Sequence, residues 1–558
     1  MRLPSFETRL VSAEEMAAID RAAIDGRGIP SLALMERAGR ESAKRMAAWW
    51  KPAARGAAGA GGVGGAKPAR GAAASRPVRA GARGAALVLA GRGNNGGDGF
   101  VAARHLKAAG FGVRVLVAAE EGALSTDARV NADGCVRAKI PVTFLPDPRG
   151  WGPGSEAAVA ASSAAFLVDA LLGTGAAGAP RGAIAAAIEM AGASGRPVVA
   201  IDIPSGVDAT SGHAEQPSIQ AELTITLAVS KMGLALEPGR SHAGEIEVVD
   251  IGIPPDVVTS TAPRMLVADL AWARSLLPPR PSDAHKGSMG RVLVVGGSAG
   301  MMGAIAMASE AVLRAGAGYS IAAVPASCVD VLESRVVEVV KRGMPETAAR
   351  TLGMAALEPI LEEAMRADVV AIGPGASRHP ETEELLRALV ARIEGPMILD
   401  ADALNAFEGR GLKRSHGPLI VSPHFGEAAR LTGGTTADVA RDPAAWARGF
   451  AAQSGAIVCL KSTPMIVAAP SEPLLLNASG NPGMATAGAG DVLTGTIAGL
   501  LAQGLDAPEA AALGCAVDGL AGDVAARRQG MRGMTAPDIL AALPAALLAL
   551  ESGALDGI

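Results

Sequence analysis

Aromatic residues are nearly missing from this chain of 558 residues, which has one Tyr, five Trp and eight Phe. Stacking of bases on aromatic platforms is therefore excluded as its main mode of recognition. Ala, Val and Leu must fill the core. Cysteine is as sparse: Cys135, Cys328, Cys459 and Cys515 lie far apart, with no CxxC pair. That excludes a disulfide framework or a zinc site and fits reduced thiols in the cytoplasm. No charge of one sign dominates. The formal net charge of −4 asks for neither nucleic acid nor an anionic membrane surface. The opening "MRLPSFETRLVSAEEM" has no apolar h-region, so no secretory signal is expected. The uncharged run Val292 to Ser309 is broken by Gly and Ser and reads as strand, turn and helix start, not a membrane span. A P-loop string, GxxxxGK[ST], is absent as well.

Short, continuous apolar runs are abundant. They include "AALVLAG" (85–91), "GVRVLVA" (112–118), "AFLVDA" (165–170), "PVVAIDIP" (197–204), "RVLVVGG" (291–297), "DVVAIGPG" (368–375), "PMILDAD" (396–402), "PLIVSPH" (418–424) and "AIVCLK" (456–461). Most end in a polar or turn residue, and Ala-rich helical stretches follow. Continuous rather than alternating apolar strands imply sheets buried on both faces, and their alternation with helices implies parallel α/β architecture. Two segments interrupt the pattern. Residues 51–84 are Gly/Ala-rich, with seven Lys or Arg and no acid, and read as a flexible insertion. The Pro-rich "LLPPRPSDAHKG" (276–287) follows a boundary placed near residue 265, giving domains 1–265 and 266–558.

In the first half, "GRGNNGGDG" (91–99) formally matches the dinucleotide fingerprint GxGxxG, with Glu120 or Glu121 near the spacing of a ribose-binding acid. The plain reading is a nicotinamide-dependent oxidoreductase. Asn94, Asn95 and Asp98, however, make this loop more polar than a phosphate turn requires. Two further strand ends carry polar groups: Asp169 before Gly173, Thr174 and Gly175, and Asp202 with Ser205 and Asp208. In a doubly wound sheet such ends open into one crevice. The bland alternative is that each Asp caps a helix.

In the second half, "NPGMATAGAGDVLTG" (481–495) runs a glycine-rich turn into a helix with Asp491 at its entrance. Backbone N–H groups and the positive helix end form an anion hole for a transferring phosphoryl group. An adjacent carboxylate can accept the proton of an attacking hydroxyl. The bland alternative is an ordinary turn and N-cap.

The first half, residues 10–255, resembles the NAD(P)H-hydrate epimerase family through "LMERAG", "GRGNNGGDG", "VDALLGTG", "DIPSGVDATSG" and "SKMGLALEPGR". Arg37 stands where that family usually has Asn. The second half, about 275–550, resembles the ADP/ATP-dependent NAD(P)H-hydrate dehydratases through "HKGSMG", "GPG", "LDADALN", "SPHFGE", "LKS" and "NPGMATAGAGDVL". Ala487 and Ala489 depart from the family pattern there. Ala487 matters if its backbone needs positive φ.

The resemblances imply a Rossmann-like α/β domain followed by a ribokinase-like one, acting on hydrated NADH and NADPH (NADHX and NADPHX). In the first, Asn94, Asn95, Gly96, Gly97, Asp98, Gly99 and Gly173, Thr174, Gly175, Ala176, Ala177, Gly178, Ala179 would contact the hydrate. Asp202 would act as acid/base, and Asn95, Asp169 and Ser205 would hold K⁺. In the second, Ala304, Gly375 and His424 would touch the hydrate. Lys461, Ser462, Thr463, Pro464, Met465 and Gly490 would hold ADP or ATP with Mg²⁺. Asp491 would be the base, with the N–H groups of Gly488 to Asp491 stabilising the transferred phosphoryl.

The implied activity is repair: epimerisation of R and S hydrates and dehydration of one epimer through a transient phosphate ester. A cytoplasmic homo-oligomer without nucleic-acid or membrane partners is expected. Two other readings stay open: a small-molecule hydroxyl kinase with an appended nucleotide-binding domain, and a non-catalytic first half.

Overall fold

The computed structural model describes residues 8–50, 83–414 and 416–554. Most of the Gly/Ala-rich segment expected as an insertion therefore lies outside the described residues. The chain divides into two compact units, one running from Leu10 to Pro263 and the other from Arg264 onward together with the described residues that precede Leu10.

The first unit carries a seven-stranded sheet. Its strands are β1 (Ala85–Ala90), β2 (Gly112–Val117), β3 (Val142–Phe144), β4 (Phe166–Ala170), β5 (Val198–Ile201), β6 (Leu223–Leu227) and β7 (Glu245–Val249). The order is β3-β2-β1-β4-β5-β6-β7, and every pair is parallel. Alternate residues of β1 serve opposite faces. Ala86, Val88 and Ala90 enter one apolar cluster, and Ala85, Leu87 and Leu89 enter the other. A strand buried on both faces has no polar alternation to show, which is why it reads as a continuous apolar run.

The chain leaves β1 toward one side and β4 toward the other, so the strand order reverses between them. That switch point opens a crevice at the strands' carboxyl ends. "NNGGDG", expected as a loop, is instead the start of the helix Asn94–Ala108. Its glycines serve close packing. A Cβ on Gly96 would fall 2.1 Å from the Gly91 carbonyl oxygen, and one on Gly99 would fall 2.6 Å from the Ala170 Cβ.

The second unit is built on β8 (Met265–Ala268), β9 (Arg291–Val295), β10 (Tyr319–Pro325), β11 (Val340–Met344), β12 (Val369–Ile372), β13 (Met397–Leu399), β14 (Leu419–Val421), β15 (Ile457–Leu460), β16 (Ile466–Ala468) and β17 (Leu474–Asn477). They lie in the order β8-β17-β16-β15-β14-β13-β12-β9-β10-β11. Pairing is parallel except that β16 runs antiparallel to both β15 and β17. Lys461–Met465 is too short for a crossover and closes a hairpin instead. Val292 and Val294 enter the large helix-covered core, and Leu293 and Val295 are fully buried on the other face.

The sequence pattern marked the central strands and missed peripheral ones such as β7. There the burial of "EIEVV" is uneven and polar residues interrupt the run. Among the described residues no helix is long and apolar enough to cross a membrane.

Two helices of this unit approach closely at a glycine. A Cβ on Gly495, in the helix Ala489–Leu501, would fall 2.1 Å from the carbonyl oxygen of Ala308, in the helix Met302–Arg314. Gly495→Ala should destabilise the second unit by about 1–3 kcal/mol in denaturant unfolding, because packing this tight cannot absorb a methyl. Gly449→Ala has open space around the new Cβ. It should shift the same transition the other way by about 0.5–1 kcal/mol.

Candidate active sites

In the first unit the switch-point crevice is a cavity of about 1070 Å³. Gly91 N–H, just beyond β1, donates to the Ala170 carbonyl at the end of β4 (2.9 Å). No side chain fits there, since a Cβ would lie 1.9 Å from the Leu171 oxygen. The two strand ends are thus pinned together, and their loops form the cavity floor.

Asp169, fully buried in β4, binds the next strand's loop. Its Oδ1 accepts from Ser205 Oγ (2.7 Å) and Leu171 N–H (3.1 Å), and its Oδ2 accepts from Ser205 N–H (2.8 Å). Burial pushes its pKa up to about 6 despite these donors. Ser205 Oγ in turn accepts from Leu172 N–H (3.0 Å). Asn95 Nδ2 donates to Leu172 O (2.6 Å), which leaves Asn95 Oδ1 buried with no partner.

Asp202 follows β5 in the left-handed region, at φ +69°. A non-glycine residue held there costs energy that the surrounding contacts must offset. Its Oδ1 accepts from Lys231 Nζ and from Leu227 N–H (3.3 Å). Lys231 is completely buried, and its ammonium also donates to Thr226 Oγ1 (3.1 Å) and Leu227 O (2.8 Å). All three ammonium hydrogens are therefore used. Four more carboxyl groups line the same cavity, Asp98, Asp20, Glu120 and Asp127. Burial, then the neighbouring Asp202 and Asp20 charges, push Asp98 well above the usual carboxylate range. Burial raises Asp20 to about 6, with Lys231 pulling the other way.

Of the residues expected at this site, Asn94, Asn95, Asp98, Gly173, Thr174, Gly175, Ala176 and Asp202 line the cavity. Gly96, Gly97 and Gly99 do not; they pack against the Gly91 carbonyl, Met35 and Ala170. Ala177, Gly178 and Ala179 lie outside the lining, and Asp169 and Ser205 join it through the backbone N–H groups of Leu171 and Leu172. Arg37 also lies off the cavity, beside Gly252 and 3.9 Å from Asp250.

The second unit gathers its polar groups at the carboxyl ends of β13, β14 and β15. Asp400, buried just after β13, accepts from Lys461 Nζ (2.5 Å) and Thr494 Oγ1 (2.9 Å). Lys461 follows β15, and its N–H donates to the Pro423 carbonyl (2.9 Å), fixing it beside His424. Burial acts to lower the Lys461 pKa, but Asp400 and Glu427 outweigh it and the net shift is upward. Gly490 leaves room for this ammonium, since a Cβ there would fall 2.7 Å from Nζ.

Asp491, in the first turn of the helix Ala489–Leu501, has no hydrogen-bond partner for its carboxyl among the described residues. Burial first, then Asp400, push it up to about 7, against the pull of Lys461. Glu427 is raised to about 7 in the same way. His424 caps the helix Phe425–Thr432, its Nδ1 accepting from Gly426 N–H (3.0 Å) and Glu427 N–H (3.3 Å). Burial and Lys461 lower its pKa, so the ring stays neutral with its proton on Nε2.

The turn before Asp491 differs from expectation in two ways. The left-handed residue is Gly488, at φ +92°, and Ala487 is not in that region, so its methyl costs nothing there. Of the four N–H groups expected to form the anion hole, two are already committed. Ala489 N–H reaches Thr486 O, and Asp491 N–H reaches Gly488 O. Gly488 and Gly490 keep theirs unpaired among the described residues. Ala304 and Gly375 lie together, with a Cβ on Gly375 placed 3.2 Å from that of Ala304. Ser462, Thr463 and Pro464 form the β15–β16 hairpin, where Ser462 Oγ donates to Pro464 O (2.6 Å), and Met465 packs partly against the core.

Residues 31–233 match the family model described as YjeF-related protein N-terminus, and residues 292–545 match the model described as NAD(P)H-hydrate dehydratase. A bifunctional NAD(P)H-hydrate repair enzyme Nnr from Moorella thermoacetica is 42% identical over 97% of this chain and 97% of its own. The protein of that name from Escherichia coli is 37% identical over 82% of this chain and 84% of its own. This chain belongs to the bifunctional NAD(P)H-hydrate repair enzymes. Among solved structures, an ADP/ATP-dependent NAD(P)H-hydrate dehydratase from Bacillus subtilis, co-crystallized with ATP/Mg²⁺, is 25% identical with a TM-score of 0.45. The match covers 51% of this chain and 98% of that one.

In this repair enzyme the residues that the sequence reading left without a role are Lys231, Asp20, Asp400 and Glu427. Asp400 carried a usable signal, since it ends an apolar strand just as Asp169 and Asp202 do. Lys231 lies within "SKMGLALEPGR", one of the motifs that carry the resemblance, but that motif assigned it no role.

Removing Lys231 would leave Asp202 as a buried, uncompensated charge. Lys231→Met should destabilise the first unit by about 3–5 kcal/mol in denaturant unfolding. Adding Asp202→Asn to that variant should restore a large part of the loss, a coupling that a double-mutant cycle measures directly.

Proposed function

We propose that the cavity of the first unit interconverts the R and S hydrates of NADH and NADPH. The Asp400–Lys461–Asp491 centre of the second unit returns the S hydrate to the reduced nucleotide. The observation that supports the second role best is Asp491: a partly buried carboxyl without a partner, beside the unpaired N–H groups of Gly488 and Gly490.

Asp491 takes the proton of the hydrate hydroxyl as its oxygen attacks the terminal phosphoryl of ADP or ATP. The Gly488 and Gly490 N–H groups and the helix N-terminus stabilise the charge of the transferred group. Lys461, held in place by Asp400, sets the phosphates, and the hairpin Lys461–Met465 borders them. Ala304, Gly375 and neutral His424 contact the hydrate. Mg²⁺ bound with the nucleotide supplies Lewis-acid neutralisation of phosphate charge. The phosphate ester then expels phosphate, which makes the kinase-type step part of a lyase reaction. A kinase that releases a stable ester is not favoured, because relatives bearing the repair name match across both units.

In the first unit Asp202, paired with Lys231, handles protons at the hydrate. Asn94, Asn95 and Gly173 to Ala176 position it. A K⁺ site fits the residues present: Asn95 Oδ1 is a buried acceptor lacking a donor, and Asp169 and Ser205 add oxygens of the hard type an alkali cation prefers. That cation would supply fixed positive charge beside the substrate. The four cysteines are buried free thiols, which accords with a cytoplasmic protein.

Asp491→Asn should lower dehydration of the S hydrate by about 10²–10⁴-fold while epimerisation proceeds. Asp202→Asn should give the reverse pattern, seen as recovery of reduced nucleotide from S but not R hydrate. Loss of both activities in either variant would sink the division of labour between the units.

The pH dependence has a definite sign. A base must be ionised, and Asp491 is raised from its ordinary value to about 7. Dehydration should therefore be full well above pH 7 and fall as pH drops through about 7. Asp491→Glu should move that midpoint. A rate flat from pH 8 to about pH 5 would remove Asp491 as the titrating base.

A further inference from the structure

The cavity of the first unit holds a carboxyl group that the role of Asp202 does not use. Asp98 is only 7% exposed and lines the cavity from the helix Asn94–Ala108. Its carboxyl has no hydrogen-bond partner among the described residues. The one buried ammonium nearby, Lys231, spends its three hydrogens on Asp202, Thr226 and Leu227. Asp98 is left facing Asp202 and Asp20, two further acids. A buried carboxyl with no donor and acid neighbours keeps its proton, whereas Asp202 already accepts from a lysine ammonium and a backbone N–H. Two carboxyl groups in such unlike surroundings on one cavity suit the two roles of an acid and base pair.

Resting on the epimerase reading above, we propose that Asp98 is the general acid of epimerisation and Asp202 its complementary base. Asp98 gives its proton to the hydroxyl oxygen on C6 of the reduced ring. The C6–O bond breaks, its electron pair leaves with the oxygen as water, and the ring nitrogen lone pair completes a C6=N1 bond. Water then adds to the other face of C6 and the C6=N1 electron pair returns to nitrogen. The proton of that water passes to Asp202. The reverse turnover runs with the two carboxyl roles exchanged, so no oxidant or second substrate enters. The resulting ring cation forms beside the newly ionised Asp98 and the Asp202 carboxylate, which stabilise it.

The test uses the full chain in oxygen-18-labelled water with purified R hydrate. The wild-type enzyme should carry label into the C6 hydroxyl as the epimers interconvert. Asp98→Asn, isosteric and free of a buried acid, should lose epimerisation and labelling together by about 10²-fold or more. Its affinity for the hydrate should stay within a few-fold, and Asp98→Glu should recover part of the rate. Epimerisation by Asp98→Asn within threefold of wild type, or interconversion without label, overturns the proposal. In that event an inactive Asp202→Asn would still uphold the epimerase reading. A wild-type chain that fails to interconvert the epimers overturns both.

Discussion

One lysine shared among several carboxyl groups governs each site, fully buried in the first unit and partly buried in the second. In the first unit Lys231 serves Asp202 while Asp98 and Asp20 stand by, and in the second Lys461 serves Asp400 while Asp491 and Glu427 stand by. A buried charge is tolerated only when paired and hydrogen-bonded, and one ammonium can satisfy one carboxylate well. The remaining acids are pushed toward their neutral forms by burial and by the ionised neighbour. Each site thereby holds, side by side, a carboxylate paired with a lysine and carboxyl groups that burial shifts toward the protonated form. That contrast is what acid and base work demands.

The fold makes the arrangement affordable. Parallel strands buried on both faces bring their carboxyl ends to one edge, where short loops and helix N-termini supply N–H groups. Asp169, Asp202, Asp400 and Lys461 all sit at the carboxyl ends of central strands or one residue past them. Glycine provides the closeness. Gly91 lets the loops after β1 and β4 touch, and Gly490 lets a helix start beside the Lys461 ammonium. In the proposed reaction the same anion-binding turn that a kinase would use works next to a base, and the ester it makes is an intermediate.

Much of this was legible in the residues themselves. Central strands announced themselves as uninterrupted apolar runs, and polar residues at their ends marked both crevices. The helical state of "NNGGDG" was not legible, because glycine's local preference for turns is overridden by packing against Gly91, Met35 and Ala170. The antiparallel hairpin around β16 was hidden in a strand too short to stand out. Lys231 escaped because its meaning lies in its partner: burial against Asp202 is a tertiary fact, and no spacing between residues 202 and 231 encodes it. Concern over Ala487 dissolved for a local reason, since the backbone reversal falls one residue later, at Gly488.

The central claim is that two sites in one chain complete a single repair, with phosphate as a transient leaving group. It is tested most directly by giving the wild-type chain an equal mixture of R and S hydrate with ADP or ATP and following reduced nucleotide and free phosphate together. The account predicts recovery of reduced nucleotide from both epimers, with one free phosphate released for each molecule restored. Recovery that stops at the S portion, or a phosphorylated product that persists, would contradict it.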